Sequence, residues 1–422
     1  MKKFIIKGPN KAVKGEVDIS GAKNSCLPLM AASILFKKKV TLKNVPFVKD
    51  VLTMKDLLVA LGSKVDFSES KKIMIINNKK NHKLVVPYNL VSTMRAGVLT
   101  MGPLLARYPK KPIKVALGGG CALGVRDINW HLAGFKSLGA SNSLEKGYVN
   151  ISTKKGIIGN IYKFPKVTVT GTSNLVMASI FAKGAHYIKN ISIEPEVLDL
   201  INFLNNSGAD IKFLGKRSIK ITGVKELISG SHTIIGDRIE AFSYLCVGAI
   251  TNRRIKVKNI NPKYLSTEIG ILKKIGYKIQ VYDSAITLSS AKKLNPIKIN
   301  TGPWPALATD NMPLVLAVLT KVPGKSLINE TIFSNRFMAA PELNRMGASI
   351  RIKKNKAIII GQKELNAADC ISSDLRTTFS IILGAIAAKG VTKIGRIYHG
   401  LRGYCDLEKK LKNIGIKITA KN

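Results

Sequence analysis

Apolar and polar residues alternate along the chain in two registers that take turns. Runs spaced at three and four residues mark amphipathic helices, and runs spaced at two mark half-buried strands. One phrase recurs: the end of a helix, a glycine, a small or variable residue, then an alternating strand. It reads LLVALGSKVDF, GFKSLGASNSL, FLNNSGADIKF, ILKKIGYKIQV, LNRMGASIRI and KKLKNIGIKI. Its glycines are Gly62, Gly139, Gly208, Gly276, Gly347 and Gly415, separated by 77, 69, 68, 71 and 68 residues. Glycine is expected there because the residue past a helix C-terminus often takes the left-handed conformation. Near-equal units of this kind are a structural repeat.

Many units also open on strand residues that pass through a polar or glycine turn into an apolar helix. Examples are VDISGAKNSCLPLMAASIL, VTVTGTSNLVMASIFAKG, TIIGDRIEAFSYLCVGAI and CISSDLRTTFSIILGAIAAKG. The unit is therefore read as β-α-β-α-β-β, and six units predict two three-unit α/β domains. The backbone N–H groups at such helix starts are unpaired and carry partial positive charge, which suits phosphates and carboxylates. Lys23, Asp237-Arg238 and Asp374-Leu375-Arg376 sit at these turns and are expected to line a shared cleft.

The 422 residues are enough for two domains of ordinary size. The start, MKKFIIKGPN, is too short in apolar residues for a signal peptide. The longest mostly apolar stretch, Phe379 to Ala388, is about half of a membrane span. A cytoplasmic, soluble protein is expected. Five cysteines without CxxC spacing argue against a disulfide framework or a zinc site, and the five histidines show no metal-type pairing.

The formal net charge is +43, from 68 Lys+Arg against 25 Asp+Glu. Charge of this size can mean phosphate-backbone binding. Here the excess is mostly lysine spread along the whole chain, with abundant isoleucine and asparagine, and no arginine-rich stripe or aromatic RNA-binding pair stands out. Compositional drift explains it better, and no nucleic-acid partner is expected. The field would still draw in an anionic small substrate.

The candidate chemistry centres on GGGCALGVR, residues 118–126. A thiol, Cys121, follows three glycines and precedes Arg126. Nearby positive charge lowers a thiol pKa from about 8.5 into the range of proton transfer near neutral pH. The flanking glycines argue against a buried structural cysteine. His131 lies ten residues on, but neither the spacing nor the glycine loop fits a thiol protease.

The chain resembles the enolpyruvyl transferases. The resemblance runs over nearly the whole length, through GPNKAVKGEVDISGAKNSCLPLMAASIL, TMRAGVLTMGPLLAR, LGGGCALGVR, VTVTGTSNLVMAS, GDRIEA, ALATDNMP, NRFMAAPELNRMGA, SSDLRTT and RIYHGLRGY. It implies two inverted α/β domains, each from three β-α-β-α-β-β repeats. The first would span 22–235 and carry the cysteine lid. The second would be built from 1–21 and 236–422, with the active site in the cleft between them.

It implies, too, transfer of the enolpyruvyl group of phosphoenolpyruvate to the 3'-hydroxyl of UDP-N-acetylglucosamine, by addition and then elimination of phosphate. Neither metal nor organic cofactor is implied, and a monomer is expected. The shikimate-pathway relative shares the fold but lacks a cysteine on a glycine lid, so Cys121 points away from it.

The resemblance also assigns roles. Cys121 would be the proton donor and the residue alkylated by fosfomycin, and Asp310 would take the proton from the sugar hydroxyl. Lys23, Asn24, Arg126, Arg336, Arg376 and Arg402 would hold phosphoenolpyruvate, with Lys23 and Arg402 at the reacting centre. Arg95, Arg126, Lys166, Val167, Thr168, Val169, Asp310 and Ile332 would contact the nucleotide sugar. Asp310 also precedes Met312-Pro313 in a pattern that fits helix N-capping, and the two roles are compatible. The chain departs from the family at Asp127, Asn129, Ser334, Ala339, Leu401 and Cys405, where partners for arginines are lost.

Overall fold

The repeat glycines do what the pattern requires. All six adopt positive φ, from 85° at Gly347 to 123° at Gly276. Each directly or closely follows a helix: Lys49–Ala60, Asn129–Ser137, Pro195–Asn206, Ser266–Ile275, Ala339–Arg345 and Leu407–Asn413. Each hands the chain to a strand, and a side chain at that φ would be strained. The computed structural model describes residues 2–10, 12–78, 82–92, 94–116, 128–228 and 230–421.

Among the described residues there are six four-stranded sheets. Each has one parallel pair at one side and two antiparallel pairs at the other. In one, Lys298–Asn300 runs parallel to Lys325–Asn329, which is antiparallel to Lys356–Ile360, which is antiparallel to Ser349–Lys353. The parallel pair needs a helical crossover and the last pair is a hairpin, so the β-α-β-α-β-β order gives this sheet directly. The chain forms two compact units with three sheets each, one from 2–20 and 236–421, the other within 21–235.

Two strands are followed at once by the change of unit, so each pairs in a different unit from the helix that comes after it. Glu16–Asp18 precedes the helix Lys23–Ala32 but pairs in parallel with Ile255–Lys258. Ser231–Thr233 precedes the helix Arg238–Thr251 but pairs in parallel with Val40–Lys43. Lys3–Gly8 lies between Gly390–Gly395 and Ile418–Lys421 and completes the last sheet.

The first crossing is pinned by a buried ion pair. Glu240 accepts from the Ser20 backbone N–H at 2.7 Å and from Lys410 Nζ at 2.7 Å, while Lys410 also donates to Ser20 Oγ at 2.7 Å. Burial pushes the Glu240 carboxyl up and the Lys410 charge pulls it back. Paired in this way, a buried carboxylate is tolerable; alone it would be costly.

In the 2–20/236–421 unit the helices Arg238–Thr251, Met312–Leu319 and Leu375–Ala387 pack on one another inside the sheets. Met312–Leu319 is buried at every position, and Arg238–Thr251 at all but its last. A helix apolar all round belongs in such a core. Burying each large side chain there stabilises by roughly 1.5–3 kcal/mol. The four described cysteines, Cys26, Cys246, Cys370 and Cys405, are all buried.

Two expectations are refined. VTVT (167–170) is not strand: the strand of that unit is Ile161–Lys163, and the helix already starts at Val169 because Thr168 caps it. Asp237 and Asp374, which the sequence places only at helix-opening turns, are N-cap residues, each accepting two backbone N–H groups.

The unit within 21–235 buries two neutral histidines. Burial, with Arg107 adding to it, holds His82 down to about 4, and burial alone holds His186 down to about 4. An unfolded histidine titrates near 6.5. Between about pH 6.5 and 4 the unfolded chain therefore binds protons that the folded chain refuses, and stability falls with pH through that window. Thermal melts followed by circular dichroism from pH 7 to 4 should show this fall, and His186→Asn should flatten it; an unchanged slope in the variant would remove His186 as a cause.

Candidate active site

The expected site residues fall in both units. In the 2–20/236–421 unit, three come together. Arg336 Nη2 donates to Asp310 Oδ1 at 2.8 Å, and Arg376 Nε and Nη2 both reach Asp310 Oδ2 at 3.2 Å. The two arginine side chains are 2% and 3% exposed, while Asp310 is 31% exposed. A carboxylate between two guanidinium forks makes charge-assisted bonds, stronger than neutral ones.

The N-cap reading of Asp310 is not met. The N-cap residue of Met312–Leu319 is Asn311, and its side chain makes no capping bond. Asp310 is not the cap. Two fixed positive charges hold its oxygens in place of backbone N–H groups.

Neighbouring groups hold the three in position. Arg336 Nε donates to the Thr309 carbonyl at 3.0 Å. Thr309 Oγ1 donates to Glu330 at 3.0 Å, and the other oxygen of Glu330 accepts from the backbone N–H of Ile332 at 2.7 Å and Phe333 at 3.1 Å. Asn311 Nδ2 donates to the buried Glu268 at 2.8 Å. Burial pushes the Glu268 carboxyl up, and Arg238 and Asn311 draw it down. Arg376 is placed at the start of its helix, where Asp374 accepts the Arg376 N–H at 2.9 Å, and its guanidinium lies 5.5 Å from the centre of the Tyr404 ring. Tyr404 Oη in turn meets Ser243 Oγ at 2.8 Å.

Arg402 closes the short helical turn Ile397–Arg402 and is half-buried. Burial, then the charge of Arg402, lowers the pKa of His399 and favours its neutral form. Ile332 is 40% exposed.

In the unit within 21–235, Lys23 opens the helix Lys23–Ala32 and is buried, with Nζ 3.0 Å from Asp50 Oδ2. Asn24 follows it, half-buried. Lys166 is exposed, Val167 and Thr168 are half-buried, and Val169 is exposed at the start of Val169–Ser179. Thr168 Oγ1 accepts from the Gly171 N–H at 3.3 Å, which shapes this turn. Arg95 begins the turn Arg95–Thr100. The His131 ring bonds to Asn174 at 2.9 Å and Thr170 at 3.3 Å. Cys121 and Arg126, with Asp127, lie outside the described residues.

Sequence reasoning missed Asp50, Glu268, Asn311, Glu330 and Tyr404. Their partners lie 27 to 43 residues away for Asp50, Glu268 and Asn311. Only Asn311 and Tyr404 had a signal, by sitting inside quoted motifs.

The cluster presents guanidinium donors of the kind that bind anions, and the fold has known likenesses. Over its full length the structure matches the enolpyruvyl transferase NikO from Streptomyces tendae, with a TM-score of 0.90 at 20% identity, covering 100% of this chain and 99% of that one. It also matches EPSP synthase from Acinetobacter baumannii, with a TM-score of 0.78 at 17% identity and 100% of both chains covered. At these identities the likeness is one of fold. The family model of EPSP synthase (3-phosphoshikimate 1-carboxyvinyltransferase) matches residues 7–411.

Curated relatives carry the name UDP-N-acetylglucosamine 1-carboxyvinyltransferase. One from Pelagibacter ubique is 46% identical over 422 residues, covering 100% of both chains. One from Campylobacter jejuni is 42% identical with 98% of each covered, and one from Helicobacter pylori 42% with 96% of each covered. The chain belongs to the enolpyruvyl transferase family, in its UDP-N-acetylglucosamine 1-carboxyvinyltransferase branch. Among the described residues no helix is long and apolar enough to cross a membrane.

Glu330 is the acceptor for one hydroxyl and two backbone N–H groups around the Asp310 loop. Glu330→Ala should cost about 1–3 kcal/mol of stability, read by urea denaturation. A loss well under that range would mean that water replaces the carboxylate.

Proposed function

We propose that this chain transfers the enolpyruvyl group of phosphoenolpyruvate to the 3'-hydroxyl of UDP-N-acetylglucosamine and releases phosphate, the first committed step of peptidoglycan synthesis. The observation that carries the reading is Asp310, a half-exposed carboxylate held by two buried arginines, in a chain 46% identical to a relative of that name.

The chemistry follows from the residue types. Cys121 gives its proton to the methylene carbon of phosphoenolpyruvate. The sugar oxygen bonds to the adjacent carbon as Asp310 takes the hydroxyl proton. The tetrahedral intermediate then loses a proton from the new methyl group, re-forms the double bond and expels phosphate. A carboxylate near the hydroxyl suits the base role, and a thiol beside positive charge suits the acid role. Lys23, Asn24, Arg126 and Arg402 serve the phosphate end, and Arg336 and Arg376 the carboxylate end. Arg95, Lys166 to Val169 and Ile332 serve the nucleotide sugar. Guanidinium forks match planar carboxylate and phosphate oxygens, and an ammonium acts as a point charge. A cytoplasmic monomer using no metal fits this reading, which ties the protein to cell-wall growth, cell shape and division.

The test is phosphate release from phosphoenolpyruvate with UDP-N-acetylglucosamine, run beside shikimate 3-phosphate. Release should depend on the nucleotide sugar and be blocked by fosfomycin. Cys121→Ser should be insensitive to the drug, and Asp310→Asn should lower kcat by about 10²–10⁴. Release with shikimate 3-phosphate alone would give the reaction to the other branch, and no release with either acceptor would overturn the reading.

A further inference from the structure

The charges around Asp310 do not balance. Two guanidiniums, 2% and 3% exposed, share one carboxylate that is 31% exposed. Asp374 is spent on backbone N–H groups at 2.9 and 3.1 Å, and Asp237 acts on Arg376 only as a more distant charge while capping its own helix. The Tyr404 hydroxyl also interacts with the Arg376 guanidinium, but Arg376 Nη1 is buried and makes no hydrogen bond among the described residues. A buried cationic N–H without an acceptor is costly and favours a further anion.

The geometry of the existing partner indicates what that anion would be. The two arginines meet the two oxygens of one planar carboxylate from two sides. A ligand carboxylate could take the same donors. Asp310 is the member open to solvent, at 31% exposure, while both arginines are buried and held from behind. Arg336 is tied to the Thr309 carbonyl, and Arg376 stands at a capped helix start over Tyr404.

We propose that Arg336 and Arg376 form an anion site occupied in the free chain by the protein's own Asp310, and that a ligand carboxylate takes the pair by displacing it. While the arginines hold Asp310, its oxygens are committed to N–H donors. Once a ligand carboxylate replaces it, Asp310 is free to accept a proton. Anion binding and the base are thus coupled, and the hydroxyl acceptor is not deprotonated before the anion is seated. This deepens the proposed function and rests on it only for the identity of the hydroxyl; the exchange itself requires no turnover.

The test is calorimetric binding of phosphoenolpyruvate, without sugar, to the full chain. The wild type must break the internal pair, which lowers its apparent affinity by the fraction of open chains. Asp310→Asn and Asp310→Ala should bind about tenfold more tightly, and adding Arg376→Gln to Asp310→Asn should abolish the gain. Binding unchanged or weakened in both single variants would overturn the proposal. So would a gain that survives the loss of Arg376, since the anion would then be held by other cations of this basic chain. Tighter binding without turnover in the wild type would remove the reaction but leave the exchange standing; turnover with no tightening would do the reverse.

Discussion

The left-handed turn after each outer helix is the constraint on which the architecture rests. Six glycines take positive φ at the same point of a repeat about 70 residues long. Each turn stops a helix and starts a strand with its apolar face inward. The hairpin that follows and the parallel crossover before it then close a four-stranded sheet. With the sheets outside, the second kind of helix in each repeat is enclosed. Met312–Leu319 can be apolar on all sides only because the structure leaves it no side facing water.

Enclosing those helices has an electrostatic consequence at their N-terminal ends. The first turn of Leu375–Ala387 carries Arg376 into a buried position, with Asp374 satisfying the backbone beside it. The loop before Met312–Leu319 carries Asp310 to the same place, and Arg336 arrives from the segment before Ala339–Arg345. Three repeat-derived segments thus deliver one carboxylate and two guanidiniums to a single point. The same logic puts Lys23 at the start of its helix in the other unit, where Asp50 neutralises it. Buried charges need partners, so the fold that collects them must also supply carboxylates.

The departures from the family can be weighed against these contacts. Ala339 begins its helix and is buried, Leu401 is exposed, and Cys405 is buried next to Tyr404. Glu330 is buried four residues before Ser334 and supplies a carboxylate to this region, bonding Thr309 and the Ile332 and Phe333 N–H groups. Nothing in the structure explains the leucine at 401.

Local pattern carried much of this protein on its own. The repeat, the helix-opening turns at Asp237 and Asp374, and the glycine stops were all legible, because backbone preferences act over a few residues. The motifs marked Asp310, Arg336 and Arg376 one by one. Tertiary structure decided what they do to each other. The same stretch that reads as an N-cap puts Asp310 between two arginines, because charges 26 and 66 residues away outbid the adjacent backbone N–H groups. It also decided that VTVT enters a helix, and that Glu268 and Glu330 stand behind Asn311 and Thr309. Pairings across such separations depend on which surfaces the packed core brings together, and a linear pattern of apolar and polar residues does not encode that choice at any one position.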